Sequence, residues 1–116
     1  MPGESATGRR SERRSVSTDE AQARLTAIKA YVSRDSADRA RDLIARVIDR
    51  AASLDLSPRR GRKVPEFNRD EIREVSEPPY RVIYRLRTDS IDIITVMHVR
   101  QLIPADLIDL HGANAP

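Results

Sequence analysis

Between residues 79 and 98 the chain runs through two apolar, β-branched segments, 80–86 and 91–98, joined by the polar turn Arg87-Thr88-Asp89-Ser90. That pattern is a β-hairpin. A two-stranded ribbon this apolar is not stable alone in water; it needs further strands and a layer covering one face. Only the helix-patterned half that precedes it can supply that layer. This demand restricts the chain to the α+β class, with an antiparallel sheet backed by helices.

The helices are legible in the spacing. Thr18-Asp19-Glu20-Ala21 starts the first: the Thr18 hydroxyl caps, and the two acids sit at the positive end of the dipole. Ala21, Leu25, Ile28 and Val32 recur at helical spacing, which predicts a helix to residue 33, with Tyr31 packed among the helices. Asp35 or Ser36 caps a second helix, whose Ala40, Leu43, Ile44, Val47, Ile48, Ala51 and Leu54 trace one stripe and whose pattern stops at Leu56. The short link Arg34-Asp35 makes the pair an antiparallel hairpin. Residues 57–65 hold two prolines and a glycine and read as a loop; 66–71 are irregular. Ile72-Arg73-Glu74-Val75-Ser76 alternates as a strand and ends at Pro78-Pro79. Residues 14–17 have one apolar member, Val16, enough for a short edge strand, and 104–110 suit a short terminal helix.

The expected architecture is (β)ααβββ, a helical hairpin packed on a three- to four-stranded antiparallel sheet. Residues 1–15 are polar and carry Arg9, Arg10, Arg13 and Arg14, so they are expected to form a disordered basic extension. Residues 16–103 form the domain and 104–116 a tail.

Composition narrows function mainly by exclusion. With three tyrosines, one phenylalanine and no tryptophan, there is no platform for stacking bases. The absence of cysteine excludes disulfides and cysteine-rich zinc sites and suits a reducing cytoplasm. No apolar run has the length of a membrane span. Two well-separated histidines and scattered acids supply no metal-ligand set, and the four glycines form no phosphate loop, so no metal or cofactor is implied. The net charge of +3 fits an acidic protein partner or a nucleic acid without choosing between them.

One cluster carries chemistry. Arg59, Arg60, Arg62 and Lys63 crowd the loop, and Arg73, Arg81 and Arg85 lie on the strands. Alternation sets Arg73 opposite to Ile72 and Glu74, and puts Arg81 and Arg85 on one face with Ile83. Such arginines clamp phosphates or pair with carboxylates of an acidic partner. Cutting RNA needs an acid–base pair as well. His98 closes the last strand near Arg100, where a proton donor could sit, although a lone histidine there is more often structural. Tyr80 and Tyr84 alternate to one side and are expected to pack, and His111 has no role.

Taken in order, Gly61-Arg62-Lys63-Val64-Pro65-Glu66, Ile72-Arg73-Glu74-Val75, Pro79-Tyr80-Arg81-Val82-Ile83-Tyr84-Arg85 and Val96-Met97-His98-Val99-Arg100 resemble the RelE/ParE superfamily of bacterial toxins. Ala27-Ile28-Lys29-Ala30-Tyr31-Val32 with Ser33-Arg34-Asp35-Ser36 looks like the same family's helical hairpin. The resemblance spans about residues 16–103. It implies a type II toxin–antitoxin module whose toxin is held in the cytoplasm in a hetero-oligomer with an antitoxin encoded beside it. RelE-like members cleave mRNA on the ribosome, whereas ParE-like members inhibit DNA gyrase. The ribonuclease branch implies Arg81, His98 and Arg100 as its machinery here. However, the strand positions that carry lysines in that branch fall at Ile72 and Glu74, and no tyrosine follows Arg100. The signatures therefore lean to ParE, with Arg59, Arg60, Arg62, Lys63, Arg73, Arg81, Arg85 and Arg100 as target contacts. The alternatives are a ribosome-dependent mRNA endonuclease, or a non-toxic member acting only as an interaction protein.

Overall fold

The structure is a computed structural model and describes residues 14–111. The expectation for residues 1–13 and for 112–116 lies outside the described residues. Two helices, α1 (Asp19–Ser33) and α2 (Ala37–Ala52), follow strand β1 (Arg14–Ser17). After a single turn of tighter helix at Ser53–Asp55 come β2 (Arg62–Lys63), another such turn at Pro65–Phe67, then β3 (Ile72–Glu77), β4 (Tyr80–Leu86), β5 (Ser90–His98) and α3 (Ala105–His111).

Both helix starts are fixed by side chains. Thr18 Oγ1 accepts from the Ala21 amide at 3.2 Å, and Ser36 Oγ accepts from the Arg39 amide at 3.2 Å. Thr18 does more than cap: its hydroxyl donates to the Ile93 carbonyl at 2.7 Å, which ties the start of α1 to the middle of the sheet. The helical hairpin lays Ala21, Leu43 and Val47, and the turn after it Leu54, on Val75, Tyr80, Val82, Tyr84, Ile91, Ile93 and Val96 of the sheet, with Leu25, Ile28, Val32 and Ala51 at the margin. Each fully buried Val, Leu or Ile among these contributes about 1.5–3 kcal/mol. Tyr31 does not join this core; it is 67% exposed and its ring faces Arg34 at 5.7 Å. It lies one residue off the stripe, at the rim of α1 rather than inside the core.

The sheet has five strands in the order β1-β5-β4-β3-β2. The four strands after the helices are antiparallel, as expected. The short edge strand β1 is present but pairs parallel to β5, unlike the antiparallel sheet expected. The unexpected strand is β2, which lies in the stretch 57–65 read as a loop and pairs with β3. A parallel neighbour needs a long crossover, and the helical hairpin and sheet between β1 and β5 provide one.

A second apolar core lies on the sheet face away from the helices. Ile72, Ile83, Ile94 and Met97 are covered there by Val64, Phe67 and Ile103, with Leu107 and Ile108 of α3 packed against them. The sheet is thus sandwiched at its centre, and its charged side chains emerge around this smaller core. β4 and β5 change register at Ile83/Tyr84, where Ile83 pairs with Thr95 but Tyr84 with Ile93. The extra residue on β5 is a bulge, and it reverses which face the rest of that strand presents.

Candidate functional site

The loop between α2 and β2 is held from below by one buried tyrosine. Tyr84 is fully buried; its hydroxyl donates to the Pro58 carbonyl at 2.7 Å and accepts from the Gly61 amide at 3.0 Å. Burial, chiefly, pushes this hydroxyl above the usual phenol range, so it stays protonated and remains a donor. Gly61 is glycine for a steric reason: a Cβ there would lie 2.5 Å from the Tyr84 hydroxyl and 2.6 Å from the Glu74 carbonyl. Arg73 completes the anchorage, donating through Nη1 to the Gly61 carbonyl at 3.0 Å.

From this platform the basic residues meet carboxylates. Asp70 gathers three: Arg59 at 3.3 Å, Lys63 at 3.7 Å and Arg73 at 3.0 Å. Glu74, only 5% exposed, accepts from Arg62 Nε and from Arg81 Nε, both at 2.6 Å. Glu66 approaches Arg81 at 3.8 Å, and these groups with Pro65, Val75, Ser76 and Val99 line a hollow of about 420 Å³. Arg85 reaches Glu71 at 3.7 Å, and Arg69 donates to the same carboxylate at 2.6 Å. A hydrogen bond from its own backbone amide, and then the Arg69 guanidinium, hold the Glu71 carboxyl below the usual range against the opposing effect of burial. Arg60 donates to Ser53 Oγ at 3.1 Å.

The expected cluster is therefore distributed over two sides. Arg73 pairs across the strands with Tyr84 and lies on the helix side, while Arg81 and Arg85 lie with Ile83 on the other, as the alternation predicts. Arg81 and His98 stand on opposite faces as well. His98 contacts the Tyr80 ring edge-on with centroids 5.5 Å apart, in a groove of about 460 Å³ that includes Arg24, Ile28 and Tyr31 of α1. Its Nδ1 accepts from the Arg100 amide at 3.1 Å, which leaves the Arg100 side chain exposed beyond it. Among the described residues no group of acids and histidines is arranged to hold a metal ion, and no helix is long and apolar enough to cross a membrane.

The family model for the ParE toxin of type II toxin–antitoxin systems, parDE, matches residues 16–103. The chain belongs to the ParE toxin family. A solved structure described as a chromosomal ParDE TA system from P. aeruginosa shares the fold with a TM-score of 0.65, covering 77% of this chain and 98% of that one at 20% identity. No curated protein sequence matches the chain.

In this toxin the acids are what reading the basic residues alone missed. Glu74 had a signal, since it alternates to the same side as Ile72 and thus toward Arg81. Asp70 had none: it lies in the irregular stretch before β3, and only the fold brings Arg59 and Lys63 to it. The Tyr84 hydroxyl was equally hidden, because a tyrosine expected to pack says nothing about which carbonyl it will find.

Proposed function

We propose that this ParE-family toxin inhibits DNA gyrase by binding it, without chemistry of its own, and is neutralised by a cognate antitoxin. The observation that carries this reading is the separation of Arg81 from His98 across the sheet. Arg81 is engaged by Glu74 and Glu66 and cannot grip a phosphate without giving up a nearly buried ion pair. His98 faces α1 and Tyr80, away from it. Cleavage of RNA asks for a charge clamp and a proton donor around one scissile bond, and these two residues do not converge on one point. Binding asks only for an exposed, ordered surface, and Arg59, Arg60, Arg62 and Lys63 on the Tyr84-anchored loop and edge strand offer one. Arg85, on the central strand β4, is engaged by Glu71 and His111, and Arg100 is exposed after β5. An antitoxin would cover the toxin with an extended or helical segment, and acidic residues on it would speed that association.

Two assays on the purified full chain test this. Supercoiling by gyrase should stop on addition of the toxin, and ribosome-bound mRNA should remain intact. Cuts at the ribosomal A site with supercoiling unaffected would replace this reading with the endonuclease one.

A further inference from the structure

We propose that Arg59, Lys63 and Arg73 form a binding site for a phosphate of duplex DNA, a site that the side chain of Asp70 occupies until DNA displaces it. The inference rests on the reading that the toxin acts at gyrase, and it names the chemical group its cationic rim meets there.

The convergence of charge is the first ground. Three cations surround one carboxylate at 3.0–3.7 Å, so a single negative charge stands against three positive ones. Crowding of like charges is unfavourable unless an anion offsets it, and Asp70 offsets only part. The site is also built rather than accidental. Its floor, Arg73, is 15% exposed and fixed by the Gly61 and Asp70 carbonyls at 3.0 and 3.1 Å. Its arms, Arg59 and Lys63, are 60% and 64% exposed and approach the same carboxylate from solvent. Asp70 itself is 55% exposed, so an incoming anion can reach and replace it.

Phosphate suits this geometry because arginine grips it through two N–H groups and lysine as a point charge. The surroundings favour the backbone of a duplex over bases or a single strand. Phe67, Tyr80 and Tyr84 are buried and Tyr31 lies on α1, so no aromatic face is presented beside these cations for a base to stack on. Arg60, exposed on the same loop, adds a further positive charge for a neighbouring phosphate, whereas Arg62 turns to Glu74 on the other face of the sheet. Contact of this kind is independent of base sequence.

The test uses the full chain and a labelled duplex of about 20 base pairs, without gyrase, over a range of salt. Asp70→Asn vacates the site and should tighten DNA binding about three- to tenfold, steepening the plot of log affinity against log salt by roughly one. Arg59→Ala with Lys63→Ala, both solvent-exposed positions, should weaken binding about tenfold or more and flatten the plot. Unchanged DNA affinity in that double variant overturns the proposal, even if Asp70→Asn fails to fold. Tightening toward polyglutamate but not toward DNA overturns it too, and assigns the site to an acidic protein segment. Supercoiling is measured separately: inhibition that persists without DNA binding removes this proposal alone, and DNA binding without inhibition removes the gyrase reading alone.

Discussion

Tyr84 has no exposed surface, yet its one polar atom decides how the most exposed loop of the toxin is presented. Replacing it with phenylalanine keeps the ring and leaves the Pro58 carbonyl and Gly61 amide without their partner. Two neutral hydrogen bonds at about 1 kcal/mol each set the scale, so Tyr84→Phe should cost about 1–3 kcal/mol in chemical denaturation. Amide exchange at Gly61 should quicken in the same variant. Gly61→Ala should destabilise by a similar amount, because its methyl collides with a carbonyl oxygen that belongs to β3 and cannot simply rotate away. Glu74 is the third sensitive residue. Glu74→Gln leaves Arg81, 13% exposed, without its carboxylate, and the loss of one partner from a nearly buried pair costs about 3–5 kcal/mol. The melting temperature of Glu74→Gln checks this; a value equal to that of the parent would mean Arg81 finds Glu66 instead.

At the level of elements, the helices follow their periodicity and caps, while the ends of the chain obey contacts that no local pattern encodes. α3 is the clearest case. It is short, and Leu107 and Ile108 alone give it an apolar face. Its last residue, His111, meets Arg85 Nη1 at 3.3 Å. An arginine only donates, so His111 Nδ1 accepts and the imidazole is neutral. Burial chiefly, and then the nearby Arg85 and Arg87, hold its pKa below the ordinary 6.5, with Asp92 opposing. The folded toxin thus takes up this proton less readily than the unfolded chain. Stability from this group is complete above about pH 6.5 and falls as the pH drops through the lower folded value. Amide protection factors in α3, which are corrected for the intrinsic pH dependence of exchange, should therefore fall on going from pH 7 to about 5, and His111→Gln should remove most of that dependence. Glu71 has the same sign at lower pH: its contribution is present above its ordinary 4.5 and is lost below. The basic loop was legible as a loop from its prolines and glycine, but its anchorage was not, since Tyr84 lies far from it in sequence.

The whole molecule is a sheet with a large core on one face and a small one on the other, bounded by two edges that resist pairing with other chains. β2 is two residues long and both are basic, and β1 is a short parallel strand; short or charged edges discourage strand addition by unintended partners. The small core depends on the C-terminal segment. Truncation after Ile103 should uncover Ile83, Ile94 and Met97, raise binding of a hydrophobic dye and promote self-association by gel filtration. A truncated chain that stays monomeric and dye-free would show that Phe67 and Val64 suffice to cover the face. The amino-acid sequence by itself determined the two helices, the antiparallel hairpin and its third strand, and the sides on which Arg73, Arg81 and Arg85 lie, because periodicity and capping are local. Only the tertiary structure decided that β1 runs parallel to β5, that Asp70 collects three cations, and that His98 turns from Arg81. The bulge in β5 is the reason for the last: unbroken alternation from Ile91 would carry His98 to the face of Asp92, Arg81 and Arg85, and one extra residue opposite Ile83/Tyr84 reverses it.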